Sequence, residues 1–157
     1  MQVETTRFGT LSINDDEQIF FPEGLLGLSE LRRFTLIPHP NGPFQWLQSL
    51  EEPDVAFPTL DPRLIDDDYK VELNNSDFMC MAVDQQETCE VVFLCIINAS
   101  NPARPTINMM APLCIAVDTC TGIQIVQHNQ NLDTRHPLRR RNASSTPQGQ
   151  DAGRRVA

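Results

Sequence analysis

The chain has 157 residues, with 12 lysines and arginines against 21 aspartates and glutamates, a formal net charge of −9. That length suits one domain able to bury a core without metal or disulfide staples. The acidic balance argues against a nucleic-acid-binding body and favours basic protein partners.

The charge is unevenly spread. Residues 138–157 (LRRRNASSTPQGQDAGRRVA) hold five arginines and one acid, which leaves residues 1–137 with 7 bases and 20 acids. The 138–157 segment has too few apolar residues to offset its ordering entropy, and is predicted to be a disordered tail. Residues 1–137 are the predicted folded domain. The five cysteines (Cys80, Cys89, Cys95, Cys114, Cys120) are odd in number and form no C-x-x-C pair. The opening Met-Gln-Val-Glu has no basic or apolar leader character, and no stretch reaches the roughly 18 apolar residues of a membrane span. These features point to a cytoplasmic protein away from the membrane. Its cysteines then act as small hydrophobes, Cys95 and Cys114 most clearly, since both sit in apolar runs.

Strand patterns dominate the chain. Val3–Arg7 and Gly9–Ile13 read as two strands, or as one bent at Gly9. Asn14–Asp16 reads as a turn, and Gln18–Phe21 as a strand stopped by Pro22. Ser29–Arg33 is predicted to make one helical turn capped by Ser29. Phe34–Ile37 follows as a strand ended by Pro38, and His39–Pro43 is turn chemistry throughout. Phe44–Leu50 alternates as a strand with one buried face. Glu51–Asp54 turns the chain into Val55–Leu60, where Pro58 cannot donate to a ladder and predicts an edge strand or a bulge. Tyr69–Leu73 reads as a short strand, and Asn74–Gln86 has room for a short helix. Glu90–Asn98 carries seven apolar residues in a row, the pattern of a strand buried on both faces. Ala111–Asp118 is a second buried strand, and a turn at Thr119–Gly122 returns the chain through Gly122–His128. Many short strands with little room for helices predict an all-β fold, a small antiparallel barrel or sandwich.

No motif brings catalytic chemistry. Gly24-x-x-Gly27 lacks the lysine and the strand–loop–helix context of a phosphate loop. Asp66-Asp67-Asp68 has neither the turn spacing nor the closing glutamate of a calcium loop, and reads as solvated. His39, His128 and His136 are too scattered to form a local metal motif. No local signature supports a Cys–His nucleophile pair. Trp46, the only tryptophan, falls on an alternating strand and reads as core.

Four segments in order resemble one family. Phe21–Leu28 (FPEGLLGL) resembles the F-P-E-G-x-x-G-[FL] signature of the flagellar assembly factor FliW. Phe44–Phe57 (FQWLQSLEEPDVAF) resembles its F-x-W-L-Q-S-x-x-x-P-D-x-A-F segment, with Asp61-Pro62 following. Asn108–Leu113 (NMMAPL) resembles N-L-x-A-P-[IV]. Gln124–Val126 and Arg135–Leu138 resemble the closing Q-x-V and R-H-P-[IL]. Pro58, Met109 and Leu132 depart from the residue types usual at their positions, and the arginine-rich tail lies beyond the resemblance.

The resemblance implies a single β-barrel-like domain that is not an enzyme, needs no cofactor or metal, and is a monomer when free. It implies two protein partners in the cytoplasm and no direct contact with nucleic acid. One partner is newly made flagellin; the other is CsrA, the RNA-binding repressor of flagellin translation. Flagellin held in the cytoplasm would occupy the protein and leave CsrA free to repress; export would release the protein to bind CsrA. The partner-facing candidates within the motifs are Glu23, Gln48, Asp54, Asn108, Met109 and Met110. Glu23 either faces a partner or stabilises its turn. For the opening motif the expectation is architectural: Gly24 and Gly27 permit a compact reversal that folds Leu25, Leu26 and Leu28 onto the barrel.

Overall fold

The computed structural model describes residues 1–128 and 131–138. The chain opens with a hairpin of β1 (Gln2–Thr5) and β2 (Gly9–Ser12), the two-strand alternative rather than one strand bent at Gly9, whose φ is +71°. Asn14–Asp16 becomes the start of a 3-10 turn, Asp15–Glu17, because the Glu17 carboxylate turns back to accept the Asn14 N–H at 2.7 Å. Then come β3 (Ile19–Phe20), β4 (Arg33–Pro38), β5 (Gln45–Ser49) and β6 (Ala56–Leu60). A 3-10 turn at Pro62–Leu64 and a short helix α1 (Asn75–Cys80) precede β7 (Val91–Asn98). Strands β8 (Thr106–Ile107), β9 (Leu113–Ala116), β10 (Thr121–Gln124) and β11 (His136–Pro137) complete the chain.

Seven strands close into a barrel in the order β7-β6-β5-β4-β3-β10-β9, with β9 returning to β7. Every pairing around it is antiparallel except β3 with β10, where Thr121 faces Phe20 in parallel. The length of β7 makes closure possible. Its first half pairs with β9 through Val91–Leu94, and its end pairs with β8 through Ile97 and Asn98. Its opposite edge receives Thr59 and Leu60 of β6.

Alternation along the strands sorts three apolar clusters. Ile19, Phe21, Phe34, Leu47, Leu94 and Leu113 fill the barrel interior together with neighbouring aliphatics. A small barrel is a packed core rather than a channel for this reason. Outside it, Leu60, Cys95, Ile97 and Ile107 gather with Tyr69, Met109 and Leu138. On another outer face Cys114, Ala116 and Ile123 pack with Met81, under α1 and its Phe78. Strand β7 is thereby covered on both faces, with Leu94 inside and Cys95 outside. Asn74 caps α1 reciprocally: its side chain accepts the Asp77 N–H, and the Asp77 carboxylate accepts the Asn74 N–H. That box fixes a helix of only six residues in a segment otherwise without periodicity.

Four expectations need correction. Ser29–Arg33 makes no helical turn, because Glu51 accepts the N–H groups of both Arg32 and Arg33, at 2.7 and 3.1 Å, and draws the chain out into β4. Pro58 lies in neither an edge strand nor a bulge. Strand β6 is internal, but its ladder to β7 begins at Thr59, so the missing N–H of Pro58 falls where no β7 partner is registered. Tyr69–Leu73 forms no ladder; it crosses the outer face as a strap, with Tyr69 buried and Val71 packed between the two outer clusters. Leu138, placed in the tail, is 6% exposed and donates its N–H to Pro105 O at 3.0 Å. Residues 139–157, the rest of the predicted tail, lie outside the described residues.

Candidate protein-interaction surfaces

The opening motif builds a corner. Pro22 leads into Gly24 at φ +69°, and Gly27 follows at φ +82°. Leu25 and Leu28 exchange backbone hydrogen bonds across the turn, at 3.3 and 2.8 Å. Leu25 drops into the barrel core, and Leu28 packs at its edge. Leu26 does not fold back as expected: it is 56% exposed. Its N–H donates to Gln124 Oε1 at 2.8 Å, while Gln124 Nε2 donates to Ala111 O at 3.0 Å. One glutamine amide thus ties the opening turn to the Asn108–Leu113 stretch, and three of the four sequence motifs meet at it. Glu23 stands exposed on this corner.

Asn108 works locally. Its Oδ1 accepts the N–H groups of Met110 and Ala111, both at 3.1 Å, which closes a turn and holds its side-chain acceptor inward. Met109 is 3% exposed, so its side chain is core rather than partner-facing. The Met109 carbonyl accepts the Tyr69 hydroxyl at 2.6 Å, and Gln127 Nε2 donates to the same hydroxyl at 3.0 Å. Burial holds the Tyr69 phenol well above its usual range, so it stays protonated and keeps donating. Met110 is half-buried, and its carbonyl accepts the Gln127 N–H. No sequence pattern marked Tyr69 as the centre of this network, since its partners are 40 and 58 residues away.

The Phe44–Phe57 motif divides by strand face. Leu47 points into the barrel, so Trp46 and Gln48 point outward. The β1–β2 hairpin and its loop lie over part of this face. Phe8 meets the Trp46 ring edge-on at 6.0 Å, and the Arg7 guanidinium sits 4.1 Å from its centroid. Trp46 is therefore a half-buried platform under a cation, not interior core. Gln48 has no exposed surface. Its Nε2 donates to the carbonyls of Ser49, Pro53 and Val55, pinning the β5–β6 turn, and its Oε1 has no partner among the described residues. Gln48 consequently holds backbone and does not reach the surface. Asp54 is exposed and accepts a hydrogen bond from the Thr6 hydroxyl.

The six sequence candidates do not form one patch. Phe44 packs against the cluster containing Met109, but Asp54 lies in the β5–β6 turn, beyond the five residues of β5. At about 3.4 Å per residue that strand spans roughly 17 Å. Among the described residues no group of three or more His, Cys, Asp or Glu side chains is placed to hold a metal. The Asp66–Asp68 run is a turn in which Asp66 accepts the Asp68 N–H. All five cysteines are free. Burial pushes the Cys95 and Cys114 thiols up to about 12, so neither is a nucleophile at neutral pH.

A protein-family model described as FliW protein matches residues 2–138 of this chain. The chain belongs to the FliW family. The "Flagellar assembly factor FliW" of Geotalea uraniireducens is 36% identical over 139 residues, which cover 88% of this chain and 84% of that protein. Its counterpart in Pseudothermotoga lettingae is 34% identical over 131 residues, 83% of this chain and 84% of that one. Bdellovibrio bacteriovorus has another, 34% identical over 139 residues, covering 88% of this chain and 79% of its own length. A crystal structure of the flagellar assembly factor FliW superposes with a TM-score of 0.81 at 24% identity, covering 88% of this chain and 97% of that one. The family match ends at Leu138, the residue that anchors the last described segment in the outer cluster. The FliW motifs thus coincide with the Gln124 corner, the Gln48-pinned turn and the Tyr69 network, which are tethers of the fold. No helix among the described residues is long and apolar enough to cross a membrane.

Proposed function

We propose that this FliW-family chain is a cytoplasmic, non-enzymatic switch that binds either flagellin or CsrA, and so couples flagellin synthesis to export. The observation that carries the reading is an acidic exterior around a filled barrel. Residues 1–137 hold 20 acids and 7 bases, while Phe21, Phe34, Leu47 and Leu113 occupy the interior with no exposed surface. A filled interior supports recognition at the outer surface, and speaks against a small-molecule or hydrolytic barrel built around a central chamber. An acidic surface accelerates encounter with a basic RNA-binding protein and repels RNA itself. Flagellin, with amphipathic terminal helices, would engage apolar surface instead.

A shared pool requires the two partners to exclude each other, and linkage makes that reciprocal. The test is a titration of CsrA into this protein saturated with flagellin. The expected result is displacement, with CsrA affinity reduced in proportion to flagellin occupancy. A ternary complex with both partners at full affinity would overturn the switch. The electrostatic part is checked separately. CsrA association should slow as salt rises, since charges are screened beyond ~8 Å at physiological ionic strength. Charge reversal at exposed Asp54 should weaken CsrA more than flagellin.

A further inference from the structure

At one mouth of the filled barrel a cavity of about 260 Å³ lies over its packed side chains. It opens between the Asp15–Glu17 turn and the β9–β10 turn, floored by Ile19, Leu36, Val92 and Ile115. The Thr35 hydroxyl and the Cys120 thiol beside it are already engaged. The Thr35 hydroxyl donates to Glu17 O at 2.9 Å, and the Cys120 thiol turns to the carbonyls of Asp16 and Val117 at 3.6 Å. What remains open is apolar. Val117 forms a lip of the cavity and is 42% exposed.

Two acids, Asp16 and Glu17, line the rim, and further acids flank it in the chain. Asp15, Asp16 and Glu17 stand exposed on one side. On the other, the Val117 N–H is held by the carbonyl of exposed Glu90, and exposed Asp118 follows it. The cavity is smaller than the ~300–1,000 Å³ typical of sites for drug-sized ligands, but it is ample for one aliphatic side chain. An apolar socket edged by the Asp16 and Glu17 carboxylates favours a side chain that arrives flanked by cations.

We infer that this mouth is a docking socket for a protein segment presenting a leucine-class side chain flanked by lysines or arginines. The aliphatic side chain enters between Leu36, Val92 and Ile115, and the cations meet Asp16 and Glu17 at the rim. This deepens the reading above by supplying a place for a basic partner, and rests on that reading only where CsrA serves as a probe.

Two measurements test it. In the first, the peptide acetyl-Lys-Lys-Leu-Leu-Lys-Lys-amide is titrated into isotopically labelled full-length protein. Amide NMR shifts are expected at Asp16, Glu17, Val117 and Cys120; shifts absent there, or no larger than elsewhere, overturn the socket whatever CsrA does. In the second, CsrA affinity is compared across variants checked for an unchanged melting temperature. Asp16→Lys/Glu17→Lys is expected to lose tenfold or more. Asp67→Lys/Asp68→Lys, which makes the same change in net charge on another exposed run, is expected to lose less than threefold. Val92→Phe fills the cavity with the protein's own ring and is expected to lose tenfold. Equal losses in the two double variants, or full affinity in Val92→Phe, would show that CsrA does not use this mouth. Failure of CsrA to bind the unaltered protein would overturn the switch, while the peptide measurement still decides the socket.

Discussion

Alanine at Gly24 and at Gly27 should have very different costs, although the two glycines sit three residues apart with φ values of +69° and +82°. Both substitutions force a side chain into left-handed backbone, which costs about 1–2 kcal/mol. Both also lower the entropy of the unfolded chain by the same amount, so that contribution cancels in the comparison. The difference is space. A Cβ on Gly27 meets nothing within 4 Å, whereas one on Gly24 falls 2.5 Å from the Ser29 carbonyl oxygen and 2.6 Å from its Cα. Those are backbone atoms with no rotamer to give way. Relieving the overlap means opening the Leu25–Leu28 turn, which puts the burial of Leu25 at risk, a further ~1.5–3 kcal/mol. Gly24→Ala is therefore expected to cost about 2.5–5 kcal/mol in total. At roughly 2–4 °C per kcal/mol for a chain this size, Gly27→Ala should lower Tm by about 2–8 °C and Gly24→Ala by about 5–20 °C. Thermal melts of the two variants, with urea midpoints as a second readout, measure this. Equal losses, or a milder loss at Gly24, would refute the steric reasoning.

Gln48→Glu should destabilise by at least ~2 kcal/mol more than Gln48→Met, because a buried carboxylate would face the three carbonyls that the amide now serves; urea denaturation of both variants reads the gap. A chain ending at Leu138 should melt close to the full-length protein. One ending at Pro137 should lose about 2–3 kcal/mol with the buried leucine, and calorimetry of the two truncations separates them. Stability should fall as pH rises above about 9, since the unfolded thiols of Cys95 and Cys114 ionise there while burial keeps the folded ones protonated up to about 12. The unfolded state then binds fewer protons than the folded one, a loss of up to ~1.4 kcal/mol per pH unit for each thiol, and denaturant midpoints from pH 7 to 10 should show a slope that Cys95→Ala/Cys114→Ala reduces. In the same native protein an Ellman-type reagent should modify half-buried Cys80, Cys89 and Cys120 long before Cys95 and Cys114.

Strand content was legible in the sequence because period-two alternation and β-branched runs are local properties. The β7 run announced burial on both faces, and Leu94 and Cys95 bear it out from opposite sides. The family, too, was legible, since four short motifs in order need no coordinates, and the expectation that the opening glycines serve the backbone held at both Gly24 and Gly27. Long-range partners were not legible. The chain from Ser29 to Arg33 has a respectable helix cap, but the Glu51 carboxylate, 18 and 19 residues away, claims its N–H groups. Pro58 broke the local rule for an internal strand, yet the stagger of β6 against β7 leaves its missing donor without a partner to disappoint. Gln48 reads as partner-facing from its family motif, although on β5 it shares a face with Trp46, which reads as core. Only the tertiary structure decided otherwise, by binding its amide to the carbonyls of the β5–β6 turn until no surface remained. The acidic mouth belongs to the same class. Its floor comes from β3, β4, β7 and β9, and closing a barrel is what brings residues 19, 36, 92 and 115 to one opening. Local pattern specifies which face of a strand is apolar; which partner covers that face, or leaves it open, is set by register and closure between distant segments.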